Sequence, residues 1–283
     1  MPIVKIENEL RSQLRLTQNE PRWQLIGMTG LNPPPANIVT SVIPGFDGSR
    51  FNSSRLESRN IVITLALKGN VEFSRMLLNA VVMPKRYIKV YYKNNTLDVY
   101  IEGYVDTFEY DVFEQGVTAQ ISIICTDPYW AEKEETKTHI SSIIGLFEFP
   151  FSIPKEGIAM SEMLSNASKE VINSGAVQTG VMITIECNHK VINPSVINAT
   201  TRQIMKLNTE LYDGDQIVIN TVQGNKYIRK YSDGEIINVI NSLDESSQWI
   251  SVLPGVNTFL TLADYGTSGM TVTVSMQNRY GGV

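Results

Sequence analysis

The chain has 283 residues, of which 42% are hydrophobic, 19% charged and 8% aromatic. That composition excludes a disordered chain, a collagen and a coiled coil, and the length suits two domains that fold without disulfides or metal. With 24 basic and 29 acidic residues the net charge is −5, which argues against a nucleic-acid binder.

No Lys/Arg cluster interleaves with the aromatic residues, so a stacking platform for single strands is not indicated. The longest apolar run, Ile61 to Leu67, is far short of the ~20 residues that span a bilayer. The start, Met1-Pro2-Ile3-Val4-Lys5-Ile6-Glu7, lacks an apolar stretch of signal-peptide length. The expectation is a protein made in a cytoplasm that stays there or leaves without a signal, with no membrane partner.

The first half predicts an antiparallel sheet with one helix. Ile61, Ile63, Leu65 and Leu67 alternate with Val62, Thr64, Ala66 and Lys68, the period of a strand buried on its odd face. After Lys68-Gly69-Asn70 the period changes. Phe73, Met76, Leu77, Ala80 and Val81 recur at helical spacing, with Asn70 as N-cap and Glu72 at the positive end of the helix dipole. Pro84 closes this segment.

A hairpin follows. Tyr87 to Tyr92 is apolar and aromatic, and Lys93-Asn94-Asn95 is turn chemistry. Leu97, Val99, Ile101 and Val105 alternate with Asp98, Tyr100, Glu102, Tyr104 and Asp106. Beyond Asp106 the apolar parity shifts to Phe108, Tyr110 and Val112, which predicts a bulge or bend. Glu114-Gln115-Gly116 turns the chain into a last strand with Val117, Ala119, Ile121, Ile123 and Cys125 on one face.

The charged run 132–137 marks a boundary. The stretch to about residue 170, with an apolar patch from Ile143 to Ile153 and prolines at Pro150 and Pro154, reads as a covered connector. The second half predicts an all-β sandwich or jelly roll. Val181, Ile183, Ile185 and Cys187 alternate with polar residues. Asp213-Gly214, Asp233-Gly234 and Leu253-Pro254-Gly255 are turns, Gln223-Gly224-Asn225 is a hairpin loop, and Val272, Val274 and Met276 form a last strand. The expected organisation is 1–130, a connector over 131–170, and 171–283.

Catalytic chemistry is sparse. Cys125 and Cys187 lie in alternating apolar patterns and read as buried free thiols; a disulfide between them is the alternative. Of two histidines, His189 follows Cys187 by two residues, too few ligands for a zinc site, and His139 lies past the charged run. The Gly-x-Ser-x-Gly, Walker and dinucleotide signatures are missing, so no cofactor is expected. Asp213-Gly214-Asp215 lacks the later ligands of a calcium loop. Glu102, Asp106, Glu109 and Asp111 share one hairpin and fit a solvent or interface face better than a glycosidase pair.

Three sets of residues carry a family resemblance. One is Cys125-Thr126-Asp127-Pro128-Tyr129-Trp130. A second is Pro44-Gly45-Phe46-Asp47-Gly48-Ser49-Arg50. The third runs through Asn173-Ser174-Gly175, Asn193-Pro194-Ser195-Val196-Ile197-Asn198, Asp213-Gly214-Asp215-Gln216-Ile217-Val218-Ile219, Ser247-Gln248-Trp249-Ile250 and Leu253-Pro254-Gly255-Val256-Asn257. In this order the chain resembles the distal tail proteins of the siphophage tail-component family. It departs where the family usually shows Thr-Gly after Asn198; here the residues are Thr200-Thr201-Arg202.

The resemblance implies a mainly β chain. The N-terminal part would be an antiparallel sandwich or split barrel with one helix and a long hairpin, like tail-tube proteins, and the C-terminal part a galectin-like β-sandwich. It also implies a non-enzymatic virion protein at the tail tip or baseplate. Copies would form a ring, typically a hexamer, joining the tail tube to the hub or tail-associated lysin protein and in some members holding receptor-binding proteins. On the hairpin, Tyr100, Glu102, Tyr104, Phe108, Glu109 and Tyr110 are the candidate ring contacts, since tyrosine buries area at interfaces yet keeps a hydrogen bond. The same aromatics also suit covering the sheet or packing on the helix. A competing reading is a carbohydrate-binding module, with Trp249 and Tyr227 as stacking candidates.

Overall fold

The computed structural model describes residues 2–17, 20–45, 47–111, 116–141, 143–145, 161–163 and 167–283. Phe46, Val112, the first two residues of the Glu114-Gln115-Gly116 turn and the Pro150–Pro154 part of the connector lie outside them. The chain divides into two compact units, one of Met1–Lys133 with Arg279–Val283 and one of Glu134–Asn278. The second unit is therefore inserted before the last five residues of the first.

The first unit contains β1 (Ile3–Asn8), β2 (Gln13–Arg15), β3 (Trp23–Thr29), β4 (Ala36–Val42), β5 (Ser49–Leu56), β6 (Arg59–Leu67), α1 (Val71–Val81), β7 (Tyr87–Lys93), β8 (Asp98–Asp111), β9 (Thr118–Cys125) and β10 (Trp130–Glu132). The second contains β11 (Thr136–Ser141), β12 (Ile143–Gly145), β13 (Ser161–Met163), β14 (Ala167–Asn173), β15 (Thr179–Gly180), β16 (Met182–Cys187), β17 (Val191–Asn198), β18 (Gln203–Lys206), β19 (Glu210–Leu211), β20 (Gln216–Asn220), β21 (Tyr227–Ser232), β22 (Glu235–Asn238), β23 (Ser251–Val252), β24 (Gly255–Tyr265) and β25 (Met270–Met276). The chain ends in β26 (Arg279–Tyr280), which pairs with β10 of the first unit.

The main sheet of the first unit runs β2-β1-β7-β8-β9-β6-β3, antiparallel throughout. It curls around its apolar face, and its two edge strands come together where Trp23 Nε1 donates to the Arg15 carbonyl at 3.0 Å. The core holds Val4, Ile6, Ile61, Ile63, Leu65, Ile88, Val90, Val99, Ile101, Ile121 and Ile123 from the sheet and Leu78 and Val81 from α1. The odd face of the Ile61 strand is buried, as its alternation predicts.

Asn70 caps α1 by accepting from the Phe73 amide at 3.1 Å. The buried stripe differs from the predicted one. Ser74, Leu78 and Val81 face the core, while Phe73 and Met76 are exposed. More than half of this helix's circumference is apolar, so spacing alone admits two stripes. The small Ser74 side chain decides between them, because it lets the helix lie close against the chain at Arg22, whose carbonyl it reaches at 3.4 Å.

The second unit is a β-sandwich. A six-stranded antiparallel sheet, β11-β25-β16-β20-β21-β22, faces a five-stranded one, β14-β24-β17-β18 with β19 paired to β17. Ile183, Ile185, Ile217, Ile219, Ile228, Val272 and Val274 from the first meet Val171, Val196, Met205 and Phe259 from the second. Asp233 and Gly234, with φ of 49° and 83°, make the two-residue turn between β21 and β22 that the Asp-Gly pair predicts.

Candidate functional site

The predicted parity change in β8 is a bulge between Val105 and Thr107. It splits the six candidate contacts. Before the bulge, Tyr100, Glu102 and Tyr104 point away from the core; after it, Glu109 does. Phe108 and Tyr110 turn to the other face and pack on the core cluster, their rings 4.6 Å apart. Tyr110 docks on α1: its hydroxyl donates to Asn79 Oδ1 at 3.0 Å, and the Arg75 guanidinium lies 4.9 Å from its ring. Burial, only partly offset by that cation, pushes the Tyr110 hydroxyl up to about 12.

The outward face is a ladder of tyrosines and ion pairs across β1, β7 and β8. Tyr87 meets Tyr104 edge-on at 5.9 Å and Tyr91 meets Tyr100 at 6.1 Å. Between them Lys89 Nζ pairs with Glu102 Oε1 at 2.8 Å and lies 4.2 Å from the Tyr100 ring. Lys5 sits 4.3 Å over Tyr91. Burial, and then the hydrogen bond to the Glu102 carboxylate, raises the Tyr87 hydroxyl above its ordinary range. Asp106, Glu109 and Asp111 continue this face as an acidic, exposed end of β8.

A further exposed apolar surface is not singled out by the sequence. β4 and β5 pair only with each other among the described residues, and all 15 of their residues but the partly covered Leu56 are exposed. Ile38, Val42 and Phe51 are 60%, 78% and 60% exposed, and Val39 and Ile43 are exposed as well. A lone two-stranded hairpin is marginal in water, and exposed apolar residues of this kind make it a candidate interaction surface. The only signal was the Pro44-Gly45…Gly48 turn between two stretches with β-branched residues, the very segment that contributes to the family resemblance.

The hairpin leaves the sheet on a fixed stalk. Pro33-Pro34-Pro35 stiffens one strand of it. Gly30 adopts φ of 82°, and a Cβ there would stand 2.3 Å from the Asn60 carbonyl oxygen. Arg59, 2% exposed, ties the base together. Its guanidinium donates to the carbonyls of Pro128 at 2.8 Å and Asn32 at 2.7 Å, and to those of Gly30 and Gly281. The Trp130 ring lies 5.8 Å away. Burial lowers the pKa of this guanidinium from its ordinary value.

The Cys125–Trp130 motif thus has a structural meaning. Cys125 and Trp130 are core, Pro128 supplies an acceptor to Arg59, Asp127 pairs with Arg279, and Tyr129 lies under the Arg279 guanidinium at 4.9 Å. Together they seat the C-terminal segment of the first unit.

In the second unit the quoted motifs converge on buried asparagines. Asn257 accepts from the Leu253 amide at 3.0 Å and donates to the carbonyls of Leu253 at 2.7 Å and Gly255 at 3.1 Å. Asn198 donates to the Ser251 carbonyl at 2.9 Å, and Asn173 to that of Val177 at 3.0 Å. These side chains satisfy backbone groups in loops and at strand ends.

Asp215 is 5% exposed and bonds Lys230 Nζ at 2.7 Å, Ser232 Oγ at 2.5 Å and the Tyr212 amide at 2.9 Å. Burial raises its pKa, but those donors outweigh burial and hold it below the usual carboxylate range; Asp244 is held at about 2 by Ser246 and Asn208. Because these folded-state values are depressed, their stabilisation is full above the unfolded value and is lost as pH falls through the folded one. Thermal melts of the second unit should therefore drop as pH falls from about 4 to about 2. Lys230→Met should destabilise the unit by about 2–3 kcal/mol, below the ~3–5 kcal/mol of a fully stranded buried charge, since two donors remain. A melt unchanged by Lys230→Met would mean that the pair is not held in solution.

Cys125 and Cys187 are both free, buried thiols, in different units, and the disulfide alternative is thereby set aside. Burial pushes them up to about 12 and about 11, which removes nucleophilic thiolate near neutrality. The His189 ring packs against Gly269, and His139 Nδ1 bonds Thr273 Oγ1 at 2.9 Å. Trp249 packs against the core of the second unit with Lys226 5.1 Å from its ring, and Tyr227 carries Arg229 at 4.3 Å. Among the described residues no group of three or more His, Cys, Asp or Glu could hold a metal, and no helix is long and apolar enough to cross a membrane.

Among the described residues the chain is thus a curled antiparallel sheet with one helix and a projecting hairpin, with a β-sandwich inserted before the last residues of the first unit. It is similar to the crystal structure of the Dit protein of phage SPP1, described as a paradigm of hub adsorption apparatus in phages infecting Gram-positive bacteria. The TM-score is 0.69 at 14% identity, over 97% of this chain and 98% of that one. Chains of the phage P2 baseplate in its activated conformation are also similar. The form with Ca gives a TM-score of 0.53 at 11% identity over the whole of both chains, and the form with Sr 0.51 at 12% over 98% of each. Residues 174–280 match the model of the siphovirus-type tail component, C-terminal domain. No curated protein matches the chain. The resemblance to a siphophage tail component and the mainly β, antiparallel fold with one helix both hold.

Proposed function

We propose that this chain is a non-enzymatic structural protein of a phage tail hub in the virion. Its first unit closes head to tail into a ring, six copies in number, that joins the tail tube to the hub or tail-associated lysin protein. The second unit, Glu134–Asn278, is a galectin-like sandwich that carries receptor-binding parts beyond the ring. The observation that carries this reading is the exposed apolar hairpin of β4 and β5.

A ring needs two different, complementary faces on each copy. The hairpin supplies one, with Arg50 and Arg55 among its apolar side chains. The outward face of the sheet supplies the other, with Tyr100, Glu102, Tyr104 and Glu109 beside Asp106 and Asp111. Basic arm and acidic, tyrosine-rich sheet suit one another in charge, and the fixed stalk lowers the entropy lost on docking.

Light scattering with negative-stain imaging of the purified protein tests the reading: rings of one size are expected. Reversing Glu102→Lys together with Glu109→Lys should abolish them while the thermal melt moves by no more than about 1 kcal/mol, the range of exposed ion pairs. Rings formed normally by that double variant would remove the outward sheet face from the contact.

A further inference from the structure

β22 is an edge of the six-stranded sheet of the second unit, and it is unlike the opposite edge. β11 shows Lys137 and His139 to solvent, whereas β22 shows two adjacent isoleucines. Ile236 and Ile237 are 62% and 44% exposed, on opposite faces of the strand, and Ile240 just beyond is exposed as well. Sheet edges in native proteins are usually blunted by charge, proline or a bulge; an apolar edge is a template for another strand.

The register shows which backbone groups are offered. The Val239 amide donates to the Ile228 carbonyl, and Asn238 stands opposite Arg229. Residues 235, 237 and 239 therefore bond inward to β21. The N–H and C=O of Ile236 and Asn238 point outward, the spacing that a further antiparallel or parallel strand would use.

An acidic groove adjoins this edge at its Asp-Gly end. It is lined by Glu186, Asp215, Gln216, Tyr231, Asp233 and Glu235, together with Ile236. Glu186, Asp233 and Glu235 are exposed. The nearby cations are already engaged: Lys230 on Asp215, and Arg229 over the Tyr227 ring. Negative charge at one end of an apolar edge favours a strand that brings its own cation.

We infer that β22 accepts an extended segment of another polypeptide by strand addition, with apolar residues against Ile236 and Ile237 and a lysine or arginine in the groove of Glu186, Asp233 and Glu235. This inference uses only the second unit and stands whether or not the first unit forms rings. It assigns that unit a protein partner recognised through backbone and charge.

The test uses the full chain and two acetylated, amidated six-residue peptides, one alternating valine with lysine and one alternating valine with glutamate. Hydrogen exchange of the Ile236 and Asn238 amides should slow at least tenfold with the lysine peptide and not with the glutamate peptide. Ile236→Pro removes an outward donor while leaving the inward ladder intact, a position that edge strands tolerate. It should weaken binding of the lysine peptide at least tenfold, and Asp233→Asn with Glu235→Gln should remove the preference between peptides. Ile236→Lys, which keeps the backbone donor, should weaken binding of the lysine peptide through the lost apolar contact and the added positive charge, and so guards against a misfolded proline variant. Equal protection by both peptides, or full binding by Ile236→Pro, would overturn the inference. So would a concentration-dependent dimer of the chain that Ile236→Pro dissolves, since the edge would then belong to a second copy.

Discussion

Replacing residues 37–55 by an Asn-Gly turn should leave a folded protein that no longer assembles. Ala36 and Leu56 are direct partners at the base of the hairpin, and the Glu57 amide bonds the Pro35 carbonyl at 3.1 Å, so a two-residue turn can join the cut ends. The core cluster contains no residue of β4 or β5, so the melt of the first unit should hardly change. Assembly should change completely. Each of Ile38, Val42, Ile43 and Phe51, if buried by a neighbour, contributes about 1.5–3 kcal/mol per contact, and in a ring every copy makes that contact. Phe51→Asp alone should weaken the contact by at least about 2 kcal/mol, roughly thirtyfold, on this scale. Sedimentation or light scattering at several concentrations measures both. Rings from the hairpin-less chain would place the interface elsewhere, and the exposed Phe73 and Met76 on α1 would be the next surface to remove.

Arg59→Met should be the most damaging single change within the first unit. The four carbonyls that Arg59 binds come from residues 30, 32, 128 and 281, and none of those bonds is to a carboxylate. Removing the guanidinium strands several buried acceptors at once, each worth about 1–3 kcal/mol, and a total near 4 kcal/mol is expected after relaxation. For a unit of this size that corresponds to roughly 10–15 °C in Tm. Two further signs distinguish loss of this tie from general destabilisation. The Val283 amide, held by the Leu31 carbonyl at 3.1 Å, should lose its protection from hydrogen exchange. Ring formation should also weaken more than stability predicts, because the stalk that aims the hairpin is the segment Arg59 holds. Arg59→Lys, with a cation but only three donors on one nitrogen, should fall between the two.

Much of the local structure can be read without coordinates. The alternation of Ile61, Ile63, Leu65 and Leu67 identifies both a strand and its buried face. Asn70 marks the helix start, and the shift from Val105 to Phe108 locates the bulge within two residues. Asp233-Gly234 predicts its own turn. In each case the information lies within a few residues, where side-chain period and φ preference act directly.

The candidate site was legible only in part. Tyr100, Glu102, Tyr104 and Glu109 do share the outward face, but Phe108 and Tyr110 cross to the core side because the bulge adds a residue and reverses the pleat. The stripe on α1 was placed one residue off, since an apolar circumference leaves the choice to whatever packs against it. The hairpin of β4 and β5 carried no warning of its exposure: β-branched residues look the same in a covered strand and in one that awaits a partner.

Periodicity and turn chemistry alone identify a mainly β chain with a helix after Asn70, the buried faces of several strands, and through an ordered set of turn motifs a resemblance to siphophage tail components, whose C-terminal domain residues 174–280 match. Tertiary packing had to show that the last five residues return to the first unit, that Arg59 gathers carbonyls from four distant positions, and that Asn173, Asn198 and Asn257 in the second-unit motifs are buried and bond backbone groups. The reason is physical. Periodicity and turn chemistry are local and survive in one dimension, whereas the satisfaction of buried polar groups depends on which distant backbones folding brings within 3 Å.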